Sequence, residues 1–215
     1  MRLKLLLSLI FVSLISTSFG QKSAKSWYTP TSYGIAYTFG NEKNFLFDDL
    51  DYFYESNTFK FQLFYPLAQW KKIDISILVQ PQLQLIKHQL LNEQFITPDE
   101  QNYVEKRARF TKLKTFSLVA VEFAFRFEKK ILQNFSTFIE ISLGFGYVNS
   151  ETERLAKGFT FIENINLGFN LRISKRTSIQ LHTGLGHVSN LNFQKPNSGY
   201  NIFNTGIGVQ YKIRS

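Results

Sequence analysis

Residues 179–213 read I-Q-L-H-T-G-L-G-H-V-S-N-L-N-F-Q-K-P-N-S-G-Y-N-I-F-N-T-G-I-G-V-Q-Y-K-I. Alternation is the dominant signal. Successive side chains of a strand point to opposite faces. Ile179, Leu181, Thr183, Leu185, His187 and Ser189 therefore share one face of a first strand. Asn201, Phe203, Ile207, Val209, Tyr211 and Ile213 line one face of the next. The stretch predicts an antiparallel hairpin with one greasy face. That face ends in a histidine and a serine two residues apart, a base and a nucleophile where apolar side chains are expected.

Six further stretches alternate in the same way. They are marked by Tyr33 to Phe39, Phe59 to Tyr65, Ile73 to Leu83, Val119 to Phe127, Phe135 to Tyr147 and Phe159 to Leu171. Helical periodicity competes nowhere over a comparable length. Eight strands can close into a soluble barrel with an apolar lumen or a membrane barrel with an apolar outside. The minor face separates the two. It carries Gly34, Ala36, Gly144, Gly146, Gly168, Gly184 and Gly186, together with Gln, Asn, Glu and Arg. Small and pairable polar groups suit the narrow lumen of an eight-stranded barrel, and the bulky face must then look at lipid. The expected fold is all-β, an eight-stranded antiparallel transmembrane β-barrel.

Connection lengths point the same way. Turns after strands two, four and six are short: Pro66 to Lys71, Glu128 to Leu132 and Ser174 to Arg176. Those after strands one, three, five and seven are long: Asn41 to Ser56, Lys87 to Lys112, Asn149 to Lys157 and Asn190 to Gly199. Outer-membrane barrels have short periplasmic turns and longer external loops. Strand seven then runs outward, and His187 and Ser189 lie near the external rim. Trp27, Tyr28, Tyr65, Trp70 and Tyr211 are expected at the periplasmic girdle, and Tyr147 and Tyr200 at the outer one. His88 reads as a loop residue and His182 as a polar lumen filler.

Residues 1–20 read as a secretory signal peptide, with a basic start, an apolar run from Leu5 to Ile15 and a small-residue end at Ser18-Phe19-Gly20. Residues 21–215 form the barrel domain, and the expected location is the bacterial outer membrane after Sec-type export. The sequence has no cysteine, so neither disulfides nor lipoprotein attachment apply. The net charge of +9 suits nucleic acid, a membrane surface or an anionic lipid. Export argues against nucleic acid, and the cations fall in turns and loops. No phosphate loop, dinucleotide fingerprint or metal-spaced cluster is present.

A serine beside a histidine base is the minimum for nucleophilic acyl transfer, which needs no metal or cofactor. The pair is equally compatible with polar residues where a strand leaves the membrane. The flanking residues add a resemblance. His187-Val-Ser189-Asn190 followed by Pro196-Asn197-Ser198-Gly199 resembles the H-x-S-N and P-N-x-G pattern of the lipid A 3-O-deacylase family. The close match covers about the last thirty residues. It implies Ser189 as nucleophile, His187 as general base, and Asn190, Asn197 and Gly199 at the oxyanion and substrate-binding site. It also implies lipid A of lipopolysaccharide as substrate.

One position departs from that pattern. The family's third catalytic residue is a glutamate, and the matching position here is Asn201. An amide oxygen can orient an imidazole but cannot neutralise an imidazolium. A replacement acid is suggested by Glu163, which interrupts the apolar face of strand six. An acid facing lipid is costly, and so a functional candidate. A three-residue turn at Ser174-Lys175-Arg176 pairs Ile173 with Thr177, and counting back places Glu163 opposite His187. The expectation is that Glu163 supplies the carboxylate and holds the His187 tautomer.

The leading reading is an outer-membrane serine esterase removing an ester-linked acyl chain from lipid A. The alternative is a non-catalytic barrel that binds lipopolysaccharide or stabilises the envelope. A soluble lipocalin-like carrier is the third. A homodimer is compatible with the sequence, which leaves open the acyl position cut.

Overall fold

The computed structural model describes residues 29–43 and 49–213. The expected signal peptide and the expected girdle residues Trp27 and Tyr28 lie outside them. Eight strands run in chain order: β1 (Ser32–Asn41), β2 (Tyr52–Trp70), β3 (Ile73–Leu90), β4 (Lys114–Leu132), β5 (Phe135–Val148), β6 (Gly158–Arg172), β7 (Thr177–Ser189) and β8 (Tyr200–Lys212). Each pairs antiparallel with the next, and β1 pairs with β8, closing the ring. Closure leaves no strand edge, the condition for a sheet in a bilayer. The neutral alternative of a soluble carrier loses its basis in the side-chain distribution. Outward side chains such as Ile35, Phe59 and Leu167 are half exposed or more, while inward Gln80 and Glu122 have no exposed area.

The lumen is filled by a polar lattice. Lys60 Nζ donates to Glu122 Oε2 at 2.6 Å, and Gln82 Nε2 and Asn164 Nδ2 each donate to the same carboxylate at 2.9 Å. Arg126 donates from Nε (2.8 Å) and Nη2 (2.6 Å) to Glu140 Oε2, and from Nη1 to Gln180 Oε1 at 2.8 Å. Its guanidinium stacks over Phe138 at 4.0 Å. A buried charge is tolerated only when paired and fully hydrogen-bonded, and these ladders meet that demand. Glycines let the strands crowd round it. A Cβ on Gly184 would lie 2.1 Å from the Ile165 carbonyl oxygen, so no larger residue fits there.

Towards the external end the filling turns apolar. Tyr52, Tyr54, Ile86, Leu118, Leu155, Val188 and Tyr200 form one buried cluster. The β5–β6 loop plugs it: residues 152–156 are all buried. A helix, α1 (Tyr103–Phe110), lies in the β3–β4 connection.

The structure corrects several expectations. β2 continues through Pro66 to Trp70 and β4 through Glu128 to Leu132, because backbone pairing outlasts the apolar pattern. A register shift at Pro66/Ala68 absorbs the proline's missing donor. The turns are then shorter than expected; Lys71 and Lys72, at φ 45° and 69°, make the two-residue turn that right-handed strand twist favours. His88 belongs to β3 and is buried, with Nε2 2.8 Å from Glu153 Oε2. Tyr200 has even parity next to outward Asn201, so it faces inward and its ring packs on Tyr54 at 4.7 Å. It is therefore not part of an outer girdle. His182 does face the lumen, with Nε2 3.1 Å from Thr38 Oγ1.

Candidate functional site

The external ends of β6, β7 and β8 form a row. Glu163 opposes His187 across β6–β7, and His187 opposes Asn201 across β7–β8. The Glu163 register is the one counted from the turn, where Ile173 N donates to Thr177 O at 3.0 Å. All three side chains are odd-numbered on their strands' outward parity, so alternation puts them on one face and the register puts them side by side.

The histidine makes its bond to one side only. His187 Nδ1 lies 2.8 Å from Asn201 Oδ1. An amide oxygen can only accept, so Nδ1 carries the proton and Nε2 is left as the acceptor. Glu163 is exposed and makes no hydrogen bond or ion pair among the described residues. The expectation that Glu163 holds the tautomer is thus corrected. An imidazole flanked by two strands can turn its Nδ1 to one of them, and it turns to β8.

Ser189 lies two residues beyond His187 on the same face, a rise of ~6.7 Å along the backbone. Its residue exposure is 6 %. Across β6–β7 it opposes Phe161. Phe161 belongs to an outward aromatic group with Phe145, Phe159 and Phe193.

The β7–β8 loop wraps the end of the strand. Asn190 N donates to Asn197 Oδ1 at 2.6 Å, and Asn190 Nδ2 donates to Pro196 O at 3.3 Å. Asn190 has no exposed area. It therefore braces the loop from beneath and cannot touch a ligand arriving from outside. Asn197 is half-buried. With its oxygen committed to Asn190, its Nδ2 remains the donor that can face a ligand. Gly199, at φ +68°, packs directly on the imidazole. A Cβ there would lie 2.6 Å from Val188 O and 3.1 Å from His187 Cε1. Both the left-handed backbone and the close approach require glycine.

Arg154 is the residue that the sequence reading missed. Its carbonyl accepts from Ser198 N (2.8 Å) and Gly199 N (3.0 Å), and Ala156 N donates to Pro196 O at 3.0 Å. The plug loop thereby holds the site loop. Arg154 is anchored in turn by Asp49 at 2.8 Å and by stacking on Tyr52 at 4.3 Å. The Tyr52 hydroxyl donates to the Asn201 carbonyl at 3.5 Å. No periodic signal marks such a loop; its only trace is a run from Thr152 to Ala156 without glycine or proline.

Ser189, nearly buried, and His187 share the outward face of β7 with no hydrogen bond between them among the described residues, and the Asn197 amide lies in the loop that follows. Among the described residues no group of three or more His, Cys, Asp or Glu side chains could hold a metal.

A family model described as lipid A 3-O-deacylase (PagL) matches residues 14–210. The crystal structure of the outer membrane enzyme PagL superposes with a TM-score of 0.52 at 12% identity, covering 84% of this chain and 99% of that one. Neisserial surface protein A matches with a TM-score of 0.43 at 9% identity, covering 85% and 96%. A de novo designed transmembrane β-barrel gives 0.42 at 13%, covering 86% and 98%. At these identities the likeness to solved structures concerns the fold. No curated protein matches the sequence.

Proposed function

The chain belongs to the lipid A 3-O-deacylase (PagL) family of the bacterial outer membrane, and from that membership we propose that it is a serine esterase that removes an ester-linked acyl chain from lipid A. The observation that carries the proposal is the His187 Nδ1 to Asn201 Oδ1 contact of 2.8 Å. It fixes the tautomer that acyl transfer from a neighbouring serine requires, on the wall that faces the outer leaflet.

In this reading His187 Nε2 takes the proton of the Ser189 hydroxyl as Oγ attacks the ester carbonyl. Asn197 Nδ2 donates to the oxyanion of the tetrahedral intermediate. Collapse expels the sugar alkoxide, which takes the proton from the imidazolium and leaves an acyl-Ser189. Water, deprotonated by the same Nε2, then attacks the acyl carbonyl; the Oγ–C bond breaks, Ser189 Oγ takes the proton back from Nε2, and the fatty acid leaves. The tetrahedral intermediates are flanked by an imidazolium that Asn201 orients without neutralising. Glu163, on the other neighbouring strand, contributes negative charge through space rather than through a bond.

The second reading, a non-catalytic barrel that binds lipopolysaccharide, draws support from the amide at position 201. Expression in a lipopolysaccharide-producing host distinguishes the two by mass spectrometry of lipid A. Loss of one acyl chain with the wild type, abolished by Ser189→Ala and by His187→Ala, is expected. Unmodified lipid A beside demonstrably inserted wild-type barrel would establish the non-catalytic reading instead.

A further inference from the structure

Beyond Ser189 the external surface carries a feature that the acyl-transfer chemistry does not use. An open basin of about 680 Å³ lies between α1, the β5–β6 loop and the β7–β8 loop. Its charged lining is Arg109, Glu151, Lys157 and Lys195. The single carboxylate is already matched, since Arg109 Nη2 lies 3.2 Å from Glu151 Oε2. Lys157 is exposed and makes no hydrogen bond or ion pair among the described residues. Among the described residues Lys195 reaches only Asn192 Oδ1, at 3.4 Å. Next to the basin, Lys114 Nζ donates to the Glu151 carbonyl at 2.8 Å. The region therefore holds more positive charge than its own acids match.

Its position relates it to the serine. Lys195 is two residues from Asn197, whose Oδ1 holds the Asn190 amide next to Ser189. Lys157 adjoins Gly158, where β6 begins, and Gln194 covers that glycine. On the membrane side of the basin lie Phe159, Phe161 and Phe193, with Phe193 stacked at 6.5 Å from Phe159 and 5.9 Å from Phe161. Phe161 opposes Ser189. Apolar rings below and unmatched cations above, both on the β5–β6 side of the nucleophile, match the two halves of a lipid with an anionic head.

We propose that the basin formed by Arg109, Lys157 and Lys195 is a subsite for a phosphate on the glucosamine head of lipid A, seated while an acyl chain lies over Phe159, Phe161 and Phe193. This rests on the lipid A reading of Ser189. Lysine ammonium groups bind phosphate as point charges, and cations at a membrane surface each strengthen binding of anionic lipid about fivefold. The substrate then approaches from the β6 side, and Asn201 keeps its bond to Nδ1 on the far side of the imidazole.

The test uses the whole barrel in nanodiscs and reads binding, which is independent of turnover. The probes are bis-phosphorylated lipid A and its phosphate-free counterpart. The Lys157→Gln/Lys195→Gln double variant is expected to bind the phosphorylated lipid about thirtyfold more weakly and the phosphate-free lipid with the same Kd as wild type. High salt should close the gap between the two lipids in the wild type. Equal weakening for both lipids, or none for either, overturns the proposal. So does displacement of lipid A from the wild type by phosphatidylglycerol as efficiently as by lipid A itself, which would make the basin a general phosphodiester surface. A wild type that binds in the phosphate-dependent way without hydrolysing lipid A sinks the esterase reading and leaves the subsite standing. Hydrolysis with phosphate-independent binding does the reverse.

Discussion

Asn201→Asp should make this enzyme faster. The substitution is isosteric, so the acceptor oxygen stays 2.8 Å from His187 Nδ1 and the barrel is not repacked. What changes is the charge beside the ring. In the ground state the imidazole is neutral and gains little. In the transition state it becomes an imidazolium, and a carboxylate now faces it. At a charge separation near 4 Å with an effective dielectric of 20, the attraction is about 4 kcal/mol. Both residues are half-buried rather than sealed, and exposed pairs realise only about 1 kcal/mol of such attraction. A gain of about 1–1.5 kcal/mol is therefore expected, or about tenfold in kcat. KM should hardly move, because the interaction exists only once the charge has developed. The assay is release of free fatty acid from purified lipid A in detergent micelles, with wild type and variant matched for heat-modifiable gel mobility. An inserted Asp variant with unchanged or lower kcat would refute the account, since the imidazolium would then not be what limits the reaction.

Because the hydrogen bond belongs to Asn201, Asn201→Ala should lower kcat more than Glu163→Gln does; the opposite order would return the orienting role to Glu163. Gly199→Ala forces a left-handed alanine, at about 1–2 kcal/mol of strain, and drives a Cβ to within 3.1 Å of His187 Cε1 and 2.6 Å of Val188 O; kcat should fall by about tenfold or more with gel mobility retained. Arg126→Met strips Glu140 of its two guanidinium bonds inside the lumen and should cost about 3–5 kcal/mol, read as a lower urea midpoint in detergent, with little change in kcat on the surviving folded fraction. Intact-mass measurement of outer-membrane protein should find the mature chain beginning near Gln21, and recovery of full-length protein would show that the leader is retained.

The strand count, the inside-outside sense and the Glu163–His187 pairing were legible in the sequence. All three follow from a period of two and from turn length, and both are local quantities. Parity alone put His187, Ser189 and Asn201 on the lipid-facing wall, because a one-residue slip would have turned Phe123, Phe125 and Phe127 of β4 and the phenylalanines of β6 into the lumen. Parity also held the correct assignment for Tyr200, the even neighbour of Asn201, which an aromatic-girdle argument overrode. Side-chain choice was another matter. His187 has a polar neighbour on each side at the same height, and no property of the chain's order says which one its ring will face. Only the assembled rim decides, with Gly199 against the ring and Asn201 Oδ1 within 2.8 Å of Nδ1. The same holds for His88 and Glu153, 65 residues apart, and for the Arg154 carbonyl that supports Ser198 and Gly199. These contacts join segments with no periodicity of their own, and they exist because closing the ring leaves an apolar external mouth that the β5–β6 loop must fill.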